Sequence, residues 1–403
     1  MKNERAPTVL LRSARTILTD RVVAAAGLLI KEGRIARVVD SATEEALTAD
    51  LVIDLNGLTL FPGFIDLHIH GAVGIDTMDA TTDGLHHLGK FLASKGVTAW
   101  LPTLVPSLAG AYTRATGAVA ETMARQESDG AVSDDDAEGA RVLGIHYEGP
   151  FVNTAQCGAL HAEYFRTFSN VDELNTLPTI KREGAIHMMT LAPEVEGGIA
   201  LVRELIRRNW IISIGHTRAD ETVLEQAMSA GARHMTHFMN AMTPLHHRTL
   251  GAVGWGLIRD EVTCDLIADG IHVAPAILRL VVKSKTAGRV SLISDAVAAA
   301  GLGDGDYEIW GEKIAVKNGR TQNEQGHIAG SVISIADAVR KMLALGFAES
   351  EVARMAARNP AKLLGIEFEC GSITEGKRAD LVALDDDRRV RFTMIGGRVA
   401  FQS

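Results

Sequence analysis

The chain contains the stretch Gly63-Phe64-Ile65-Asp66-Leu67-His68-Ile69-His70-Gly71, in which an apolar run ends in two histidines and a glycine. In a β-strand, side chains two positions apart point to the same side. His68 and His70 would therefore project from one strand end toward one point, and two neutral imidazoles at such a point make half of a divalent metal site. The same pair would also suit a polar turn, because His-x-His alone is a weak signal.

Apolar runs of this kind recur along the chain with helical patterns between them. The candidate strands are residues 64–68, 97–101, 142–146, 187–191, 211–214, 233–236, 263–267 and 290–293. Eight alternating strand and helix patterns predict an α/β protein with a parallel (β/α)8 TIM-like barrel. A doubly wound sheet is the alternative, but the Gly-x-Gly-x-x-Gly loop that would favour it does not follow an early strand.

Both ends of the chain are rich in short strand patterns with turns between them. Residues 30–35 form a hairpin pattern with Gly33 at its turn, and residues 379–384 and 390–395 show similar strand patterns near the C-terminus. We expect residues 1–60 and 369–403 to build one small β-sandwich domain, and residues 61–368 to form the barrel.

Side chains able to bind a metal stand after many of the barrel strands. In such barrels, chemistry takes place at the C-terminal ends of the strands. Burying several titratable groups there is costly unless a cation compensates, which favours a metal site over packing as the explanation. The side chains at these ends are His68, His70, His146, Glu148, His216, His237, Asp269, His272 and Asp295.

Composition excludes several classes of protein. The chain has 403 residues, 46% of them apolar and 23% charged, with a net charge of -9, which argues against a polyanion-binding surface and so against nucleic acid as a partner. We find no apolar run long enough to span a membrane and no signal-peptide core in residues 1–6. Three cysteines without a CxxC pair suit a reducing compartment, so a cytoplasmic location is expected.

Several strings resemble the amidohydrolase superfamily and, within it, the family of N-acetylglucosamine-6-phosphate deacetylases. The resemblance covers nearly the whole chain, although the C-terminal strings are specific only to the superfamily. The strings are Pro62-Gly63-Phe64-Ile65-Asp66-Leu67-His68-Ile69-His70-Gly71, His146-Tyr147-Glu148-Gly149-Pro150-Phe151, Gly215-His216-Thr217, Thr236-His237-Phe238-Met239-Asn240-Ala241-Met242, Asp269-Gly270-Ile271-His272, Ser294-Asp295-Ala296, Asn359-Pro360-Ala361-Lys362-Leu363-Leu364-Gly365 and residues 371–381.

The resemblance implies a catalytic metal site. Glu148, His216 and His237 would be its principal ligands, and a capped turn before Pro150 is the structural alternative for Glu148. The chain keeps both His68 and His70, so the resemblance implies either one ion or two per subunit. With two ions, Glu148 would bridge them. Zn²⁺ is the expected metal, with Fe²⁺, Co²⁺ and Mn²⁺ as alternatives.

The resemblance also assigns the residues of the reaction. Asp295 would be the catalytic aspartate that moves the proton of the attacking water, while its structural alternative is the N-cap of the following helix. His161 would contact the acyl group and stabilise the oxyanion.

A further set would bind the phosphosugar. The resemblance implies that Arg248 contacts the phosphate across a subunit interface, which requires a homodimer. The residues that follow Arg248 lack the family's usual Glu-Pro, so a simple surface arginine stays open as an alternative. The substrate-binding residues implied are His161, Asn240, Ala241, Arg248, His272 and Ala329.

The implied activity is metal-dependent hydrolysis of N-acetylglucosamine 6-phosphate to glucosamine 6-phosphate and acetate, in amino-sugar catabolism or cell-wall recycling. One alternative is a deacetylase of the same architecture that acts on N-acetylgalactosamine 6-phosphate or another N-acyl substrate. A non-enzymatic binding scaffold is a second alternative, and it predicts that ligands are missing, whereas the sequence retains all of them.

Overall fold

The structure is a computed structural model that describes residues 7–19, 21–40, 47–128 and 139–403. The described strands are β1 (Val9–Ile17), β2 (Val22–Lys31), β3 (Arg34–Asp40), β4 (Leu51–Asp54), β5 (Thr59–Pro62), β6 (Phe64–Ile69), β7 (Gly71–Ala72), β8 (Ile75–Asp76), β9 (Val97–Leu104), β10 (Arg141–Val142), β11 (Gly144–Glu148), β12 (Ile186–Leu191), β13 (Ile211–Ile214), β14 (His234–Met235), β15 (Thr263–Ile267), β16 (Val290–Ile293), β17 (Gly305–Ile309), β18 (Glu312–Lys317), β19 (Arg320–Asn323), β20 (Leu381–Leu384), β21 (Val390–Ile395) and β22 (Arg398–Gln402).

The α-helices alternate with the barrel strands or follow them. They are α1 (Thr82–Ser94), α2 (Ala109–Ser128), α3 (Gly198–Arg207), α4 (Glu221–Ala230), α5 (Gly251–Ile258), α6 (Pro275–Lys285), α7 (Ile335–Ala344), α8 (Glu349–Ala353) and α9 (Asn359–Leu363). One π-helical segment, Arg354–Arg358, joins the last two. One helix start shows the usual capping chemistry: Ser334 accepts a hydrogen bond from the Asp337 N–H in a capping box before α7, an arrangement worth about 1 kcal/mol. None of the described helices combines the length and the apolar character needed to cross a bilayer.

Eight parallel strands form a nearly closed barrel, which confirms the predicted fold class. Strands β6, β9, β11, β12, β13, β14, β15 and β16 are adjacent in chain order. Hydrogen bonds between the first and last strands complete the ring: the Asp295 N–H donates to His68 O at 2.9 Å, and Ser294 Oγ donates to Asp66 Oδ2 at 2.5 Å. The strand ends therefore face one common mouth.

Apolar side chains from around the ring pack against one another inside it and provide a rigid floor for the groups at the strand ends. This buried cluster includes Ile65, Leu67, Ala99, Leu101, Met188, Ile267 and Ile293. A larger cluster joins the outer side of the barrel to the helices. In α3, for example, Leu201, Val202 and Leu205 lie on one buried face, at the spacing of an amphipathic helix.

The predicted bounds are identical to the observed ones for β13, β15 and β16, and they agree within one residue for β6 and β12. The predicted strand at 142–146 is divided into β10 and β11. Gly144 stands at that division because a Cβ there would lie 1.9 Å from Ile186 O, so only glycine allows β12 to approach so closely. The predicted strand at 233–236 is the short β14.

Strands from both ends of the chain share a second sheet. Its order is β22-β21-β20-β5-β1-β2-β3, and β4 pairs with β1. The predicted hairpin is present, with Ile30 opposite Ile35 and Gly33 at a φ of 73°. The sheet has its own apolar core around Leu11, Leu28 and Phe392.

A three-stranded antiparallel sheet, β17-β18-β19, follows the last barrel strand, and the sequence analysis assigned no strand there. Its Ile309, Ile314 and Val316 pack against Val297 and Ala299 of the segment that follows Asp295. We call this sheet the flap. It is fixed beside the barrel mouth by that contact.

Candidate metal centre and active site

Six buried side chains converge at the C-terminal mouth of the barrel. Glu148 Oε1 lies 2.9 Å from His216 Nε2 and 3.0 Å from His237 Nε2. The same carboxylate lies 3.6 Å from His68 Nε2 and 3.4 Å from His70 Nε2. Two groups of three potential ligands thus share Glu148, one with His68 and His70 and the other with His216 and His237.

Asp295 completes the constellation from the end of β16. Its Oδ1 lies 3.3 Å from His68 Nε2 and 3.2 Å from His70 Nε2. The backbone at His216, His237 and Asp295 has φ values of 47°, 31° and 49°, in the left-handed region that non-glycine residues rarely adopt. Strain of this kind concentrates at functional sites, where the surrounding structure holds it in place.

The charges of these groups depend on one another. Burial raises the pKa of Glu148, but the charge of His68 and hydrogen bonds from His216 and His237 outweigh it and hold the pKa well below its ordinary value. Burial likewise raises the pKa of Asp295, and hydrogen bonds from His68 and His70 lower it further than burial raises it. Burial lowers the pKa of His237, but Glu148 more than compensates and brings it to about 9. Two carboxylates are therefore ionised among imidazoles.

The donor set fits a divalent cation. The Nε2 atoms of His68 and His70 are 3.1 Å apart, and so are those of His216 and His237. Nitrogen atoms at this separation that share a carboxylate can ligate one ion, since imidazole nitrogen and carboxylate oxygen are ordinary ligands of zinc and similar metals. In each of the rings of His68, His70 and His237, Nε2 is the nitrogen that faces the shared carboxylate. The Nδ1 atoms of these rings are buried and have no hydrogen-bond partner among the described residues.

Buried residues that the sequence analysis did not assign support the ligands. Asp66 Oδ1 accepts hydrogen bonds from the backbone N–H groups of His68 at 3.3 Å and Ser294 at 3.2 Å. Asp265 accepts from the backbone N–H of His237 and contacts His234 Nε2 at 2.9 Å. A carboxylate within an apolar strand is rare unless it is paired, and this signal was available at both aspartates.

His146 is buried beneath the centre and does not join it. Its Nδ1 lies 2.9 Å from Leu67 O and its Nε2 lies 2.8 Å from Thr190 Oγ1, so both ring nitrogens have partners. Burial, reinforced by the charge of His68, holds its pKa well below the ordinary value. His146 is a neutral ring that links β11 to β6 and β12.

His161 lies on a loop that covers His216. Gln156 O in this loop is 2.7 Å from His216 Nδ1, which orients the ring. His161 Nδ1 lies 3.3 Å from Glu163 Oε1, while its buried Nε2 has no partner among the described residues. The loop therefore reaches the site through Gln156, and the ring of His161 lies against Glu163 and Tyr164 of the same loop.

The residues after His237 form a tight turn at the mouth. Asn240 donates from its backbone N–H and its Nδ2 to His237 O, at 2.9 and 3.1 Å. Ala241 follows with a φ of 51° and accepts a hydrogen bond from the Thr217 N–H. After β15, His272 Nδ1 lies 2.6 Å from Asp269 Oδ2, which fixes the other ring nitrogen in one direction.

Two of the expected substrate residues, Arg248 and Ala329, differ in the exposure of their side chains. Arg248 is exposed on the loop before α5, and its guanidinium makes no hydrogen bond or ion pair with any residue that the structure describes. Ala329 is fully buried, with its side chain packed in the apolar core of the flap beside Val297. Its backbone N–H donates to Thr321 Oγ1 at 3.3 Å, so its carbonyl is the group left for a polar contact with a ligand.

Comparison with known proteins agrees with this architecture. A model of the amidohydrolase family matches residues 59–400. The N-acetylglucosamine-6-phosphate deacetylase of Bacillus subtilis (strain 168) is 36% identical over 99% of this chain and 98% of its own length. The N-acetylgalactosamine-6-phosphate deacetylase of Escherichia coli O157:H7 is also 36% identical, over 94% of this chain and 99% of its own.

A solved structure is similar over nearly the whole chain. It is a mutant N-acetyl-D-glucosamine-6-phosphate deacetylase from Mycobacterium smegmatis in complex with N-acetyl-D-glucosamine-6-phosphate, with a TM-score of 0.86, 30% identity, and coverage of 98% of this chain and 99% of that one. The resemblance inferred from the sequence strings is thereby confirmed. The chain belongs to the amidohydrolase family, in which its relatives include N-acetylglucosamine-6-phosphate and N-acetylgalactosamine-6-phosphate deacetylases.

Proposed function

We propose that this protein hydrolyses the acetamide of N-acetylglucosamine 6-phosphate, giving glucosamine 6-phosphate and acetate. One observation carries the proposal: Glu148 is shared by two histidine pairs, and Asp295 lies 3.2–3.3 Å from one of those pairs at the barrel mouth. Ligands and a carboxylate base in this arrangement suit hydrolysis of an amide. Relatives at 36% identity whose names specify sugar-phosphate deacetylation support this choice of substrate.

Glu148, His216 and His237 would hold one divalent ion, and His68 and His70 would hold a second that shares Glu148. Zn²⁺ is the proposed metal, because histidine nitrogen and carboxylate oxygen with an open position are its usual catalytic ligands. When bound, the metal would supply a lowered pKa for the attacking water and polarisation of the acetyl carbonyl.

Asp295 would transfer a proton from the attacking water to the leaving nitrogen. Its carboxylate accepts a proton from the water whose oxygen adds to the acetyl carbon. When the C–N bond breaks, the same proton passes from Asp295 to the leaving nitrogen, so the sugar departs as an amine. His161, whose buried Nε2 has no partner among the described residues, would donate a hydrogen bond to the developing oxyanion.

The sugar phosphate would be bound mainly by residues that follow strands β14 and β15 at the mouth of the barrel. Asn240 and Ala241 offer backbone and amide groups in the turn after His237, and the ring of His272 is held by Asp269. Ala329 would contribute a backbone contact. Arg248 of the partner subunit would complete the phosphate site, since a guanidinium forks onto phosphate oxygens and this side chain has no partner within its own described chain.

The proposal extends to the location, the assembly and the domain division of the protein. We propose a cytoplasmic homodimer in which residues 61–368 form the catalytic barrel, and residues 1–60 and 369–403 form the small β domain. The shared sheet of β1–β5 and β20–β22 supports a small domain made from both ends of the chain, and β5 extends it two residues past the proposed boundary, to Pro62.

N-acetylgalactosamine 6-phosphate is the second candidate substrate. The relative from Escherichia coli O157:H7 with that name is 36% identical to this chain, and so is the N-acetylglucosamine-6-phosphate deacetylase from Bacillus subtilis. The two sugars differ only in the configuration of one hydroxyl.

An amine-release assay tests the proposal. Purified protein with defined Zn²⁺ would be given N-acetylglucosamine 6-phosphate, its galactosamine epimer and both unphosphorylated sugars. We expect fastest release from the phosphorylated glucosamine substrate, and we expect His216→Ala to lose metal and activity together. Faster turnover of the epimer would reassign the substrate. Absence of release from all four sugars, with metal bound, would overturn the deacetylase assignment.

A further inference from the structure

The turn between β17 and β18 carries an unusual residue. Ile309 pairs with Glu312, so Trp310 and Gly311 form a two-residue turn with φ values of 53° and 79°. Such turns require positive φ at both positions and favour asparagine, aspartate and glycine. A tryptophan there carries backbone strain, which calls for a compensating contact elsewhere.

That contact is with the candidate metal ligand His70. The rings of Trp310 and His70 pack edge to face, with centroids 5.1 Å apart and planes at 82°. Trp310 is half-buried, and its neighbour Ile309 is fixed in the core of the flap. The turn of the flap therefore packs against the ring of His70, which would hold a metal ion.

A second hairpin brings Asp76 to the same ring. Gly71 of β7 pairs with Asp76 of β8, and the Thr77 N–H donates to His70 O at 2.8 Å. A Cβ at Gly71 would lie 2.0 Å from Ile75 O, so this return of the chain depends on glycine. The hairpin thus places the carboxylate of Asp76 beside His70, the residue that precedes β7.

Three buried polar atoms in this contact have no hydrogen-bond partner among the described residues: His70 Nδ1, Asp76 Oδ2 and Trp310 Nε1. The residues are close enough to influence one another. The indole N–H of Trp310 and the ring of His70 both lie near enough to Asp76 to favour its charged form, although neither is within hydrogen-bond distance of Asp76 Oδ2. Buried polar atoms without partners are costly, and three in one place indicate an arrangement that becomes satisfied in another state.

Metal binding would supply that state. An imidazole that ligates through Nε2 carries its proton on Nδ1 and donates it to a carboxylate, carbonyl or water. Asp76 is the carboxylate that the β7–β8 hairpin brings beside His70, and its Oδ2 has no partner among the described residues, whereas Glu148 and Asp295 contact Nε2. The indole N–H is a second donor for the same carboxylate.

We propose that Trp310 and Asp76 are positioning residues that retain the ion held by His68 and His70. Trp310 covers the outer edge of His70 and shares Asp76 with it, so the ring keeps the orientation that ligation requires and the ion leaves slowly. The ion held by His216 and His237 does not depend on them. This inference rests on the two-ion arrangement of the proposed function and adds the groups that control it.

Release of metal into a chromogenic chelator tests the inference without using activity. Protein loaded with two equivalents of Zn²⁺ should release them in two phases, and the double variant His68→Ala, His70→Ala should lack one phase. Trp310→Ala should accelerate that phase about tenfold or more, the usual effect of removing a residue that supports a metal ligand, and leave the other phase unchanged. Asp76→Asn should do the same. Trp310→Phe keeps the ring but loses the N–H, so its rate should fall between those of Trp310→Ala and the wild type.

Lys313→Ala is the control, because this exposed residue lies in the same flap away from His70, and its phases should match the wild type. If Trp310→Ala and Asp76→Asn release both ions at wild-type rates, or accelerate both phases equally, the inference is overturned while the deacetylase assignment stands. If the wild type holds one equivalent that the double histidine variant retains, the second ion of the proposed function is excluded and the inference fails with it. Amine release by that protein would still support the proposed reaction.

Discussion

Asp295 depends on its neighbours for the charge that the proposed reaction needs. It is buried, which alone would favour the neutral acid. In the metal-free chain, hydrogen bonds from His68 and His70 lower its pKa, and a bound ion would take over that role once both rings ligate it through Nε2. An ionised carboxylate at this position can accept a proton at neutral pH. Its left-handed backbone and the hydrogen bond from its N–H to His68 O fix the direction of the side chain.

Asp295→Asn should therefore reduce turnover by at least about 10²-fold, because an amide cannot accept the proton of the attacking water. The six groups at the mouth include four histidines and Glu148 besides Asp295, so metal content should stay near the wild-type value. Amine release and metal analysis on the same preparation check both statements. An Asn variant with wild-type turnover and full metal content would remove Asp295 from the reaction.

Asp269 offers a test of electrostatics away from the metal. Burial raises its pKa, but hydrogen bonds from His272 and from the N–H groups of Ile271 and His272 lower it more. Because the folded-state pKa lies below the unfolded one, the charge of Asp269 stabilises the fold above the unfolded pKa of about 3.9. This contribution is lost as the pH falls through the folded-state pKa.

We expect metal-free Asp269→Asn to be less stable than the wild type by about 1–2 kcal/mol at neutral pH, the usual worth of a charge-assisted hydrogen bond. The difference should shrink as the pH falls below about 4. Urea unfolding of both proteins across this range measures it. Asp387→Asn, which removes a carboxylate with a side chain 72% exposed, should show no such pH-dependent difference. A difference that grows in acid would mean that the sign assigned here is wrong.

At the scale of single elements, the β7–β8 hairpin connects the sequence motif to the site. The glycine that ends the opening stretch allows the chain to turn back at once and bring Asp76 beside His70. The N–H groups of His70 and Gly71 both donate to Ala296 O, so the hairpin also ties β6 to the residue after Asp295. One short element thus ties His70 to the residue that follows Asp295.

Gly71→Ala should disrupt this element, since its Cβ would lie 2.0 Å from Ile75 O. We expect a loss of stability of about 1–3 kcal/mol, typical of overpacking, and a lower content of the ion at His68 and His70. Gly117→Ala is the matched control: this exposed glycine lies in α2 with no neighbouring atom within 4 Å of the methyl group that alanine would add, and the change should increase stability by roughly 0.5–1 kcal/mol. Thermal or urea unfolding with metal analysis compares them, and equal behaviour of the two variants would contradict the role of Gly71.

The elements that the sequence predicts well are those whose signal is local. Strands β13, β15 and β16 are continuous apolar runs, and the placement of His68, Glu148, His216, His237 and Asp295 follows from their positions at strand ends. The flap was missed although Ile314 and Val316 alternate with polar residues in β18, which is a recognisable strand pattern. The partners of Asp66 were not predictable in this way, because Ser294 lies 228 residues away and only the closed ring brings the two together.

At the scale of the whole molecule, the exposed loop before α5 carries Arg248, the residue proposed to contact the phosphate across a subunit interface. Arg248 extends from it with no partner among the described residues, and the neighbouring Leu245 is 51% exposed. A loop with an exposed apolar side chain beside an unpaired arginine is suited to contact a second subunit. Arg248 would then serve a mouth other than its own.

Arg248→Ala should raise KM for the phosphorylated substrate by roughly ten- to a hundredfold, since a charge-assisted bond to phosphate contributes on the order of 1.5–3 kcal/mol. The unphosphorylated sugar should be affected much less. Mixing this variant with Asp295→Asn tests whether the contact crosses the interface. In a heterodimer, the site with an intact Asp295 would receive Arg248 of the partner subunit, and the second site would have neither group. One working site of two should give about half of wild-type activity at low substrate. A verified heterodimer without recovery would place Arg248 at its own mouth, and an unchanged preference for phosphorylated sugar in Arg248→Ala would remove it from the phosphate site.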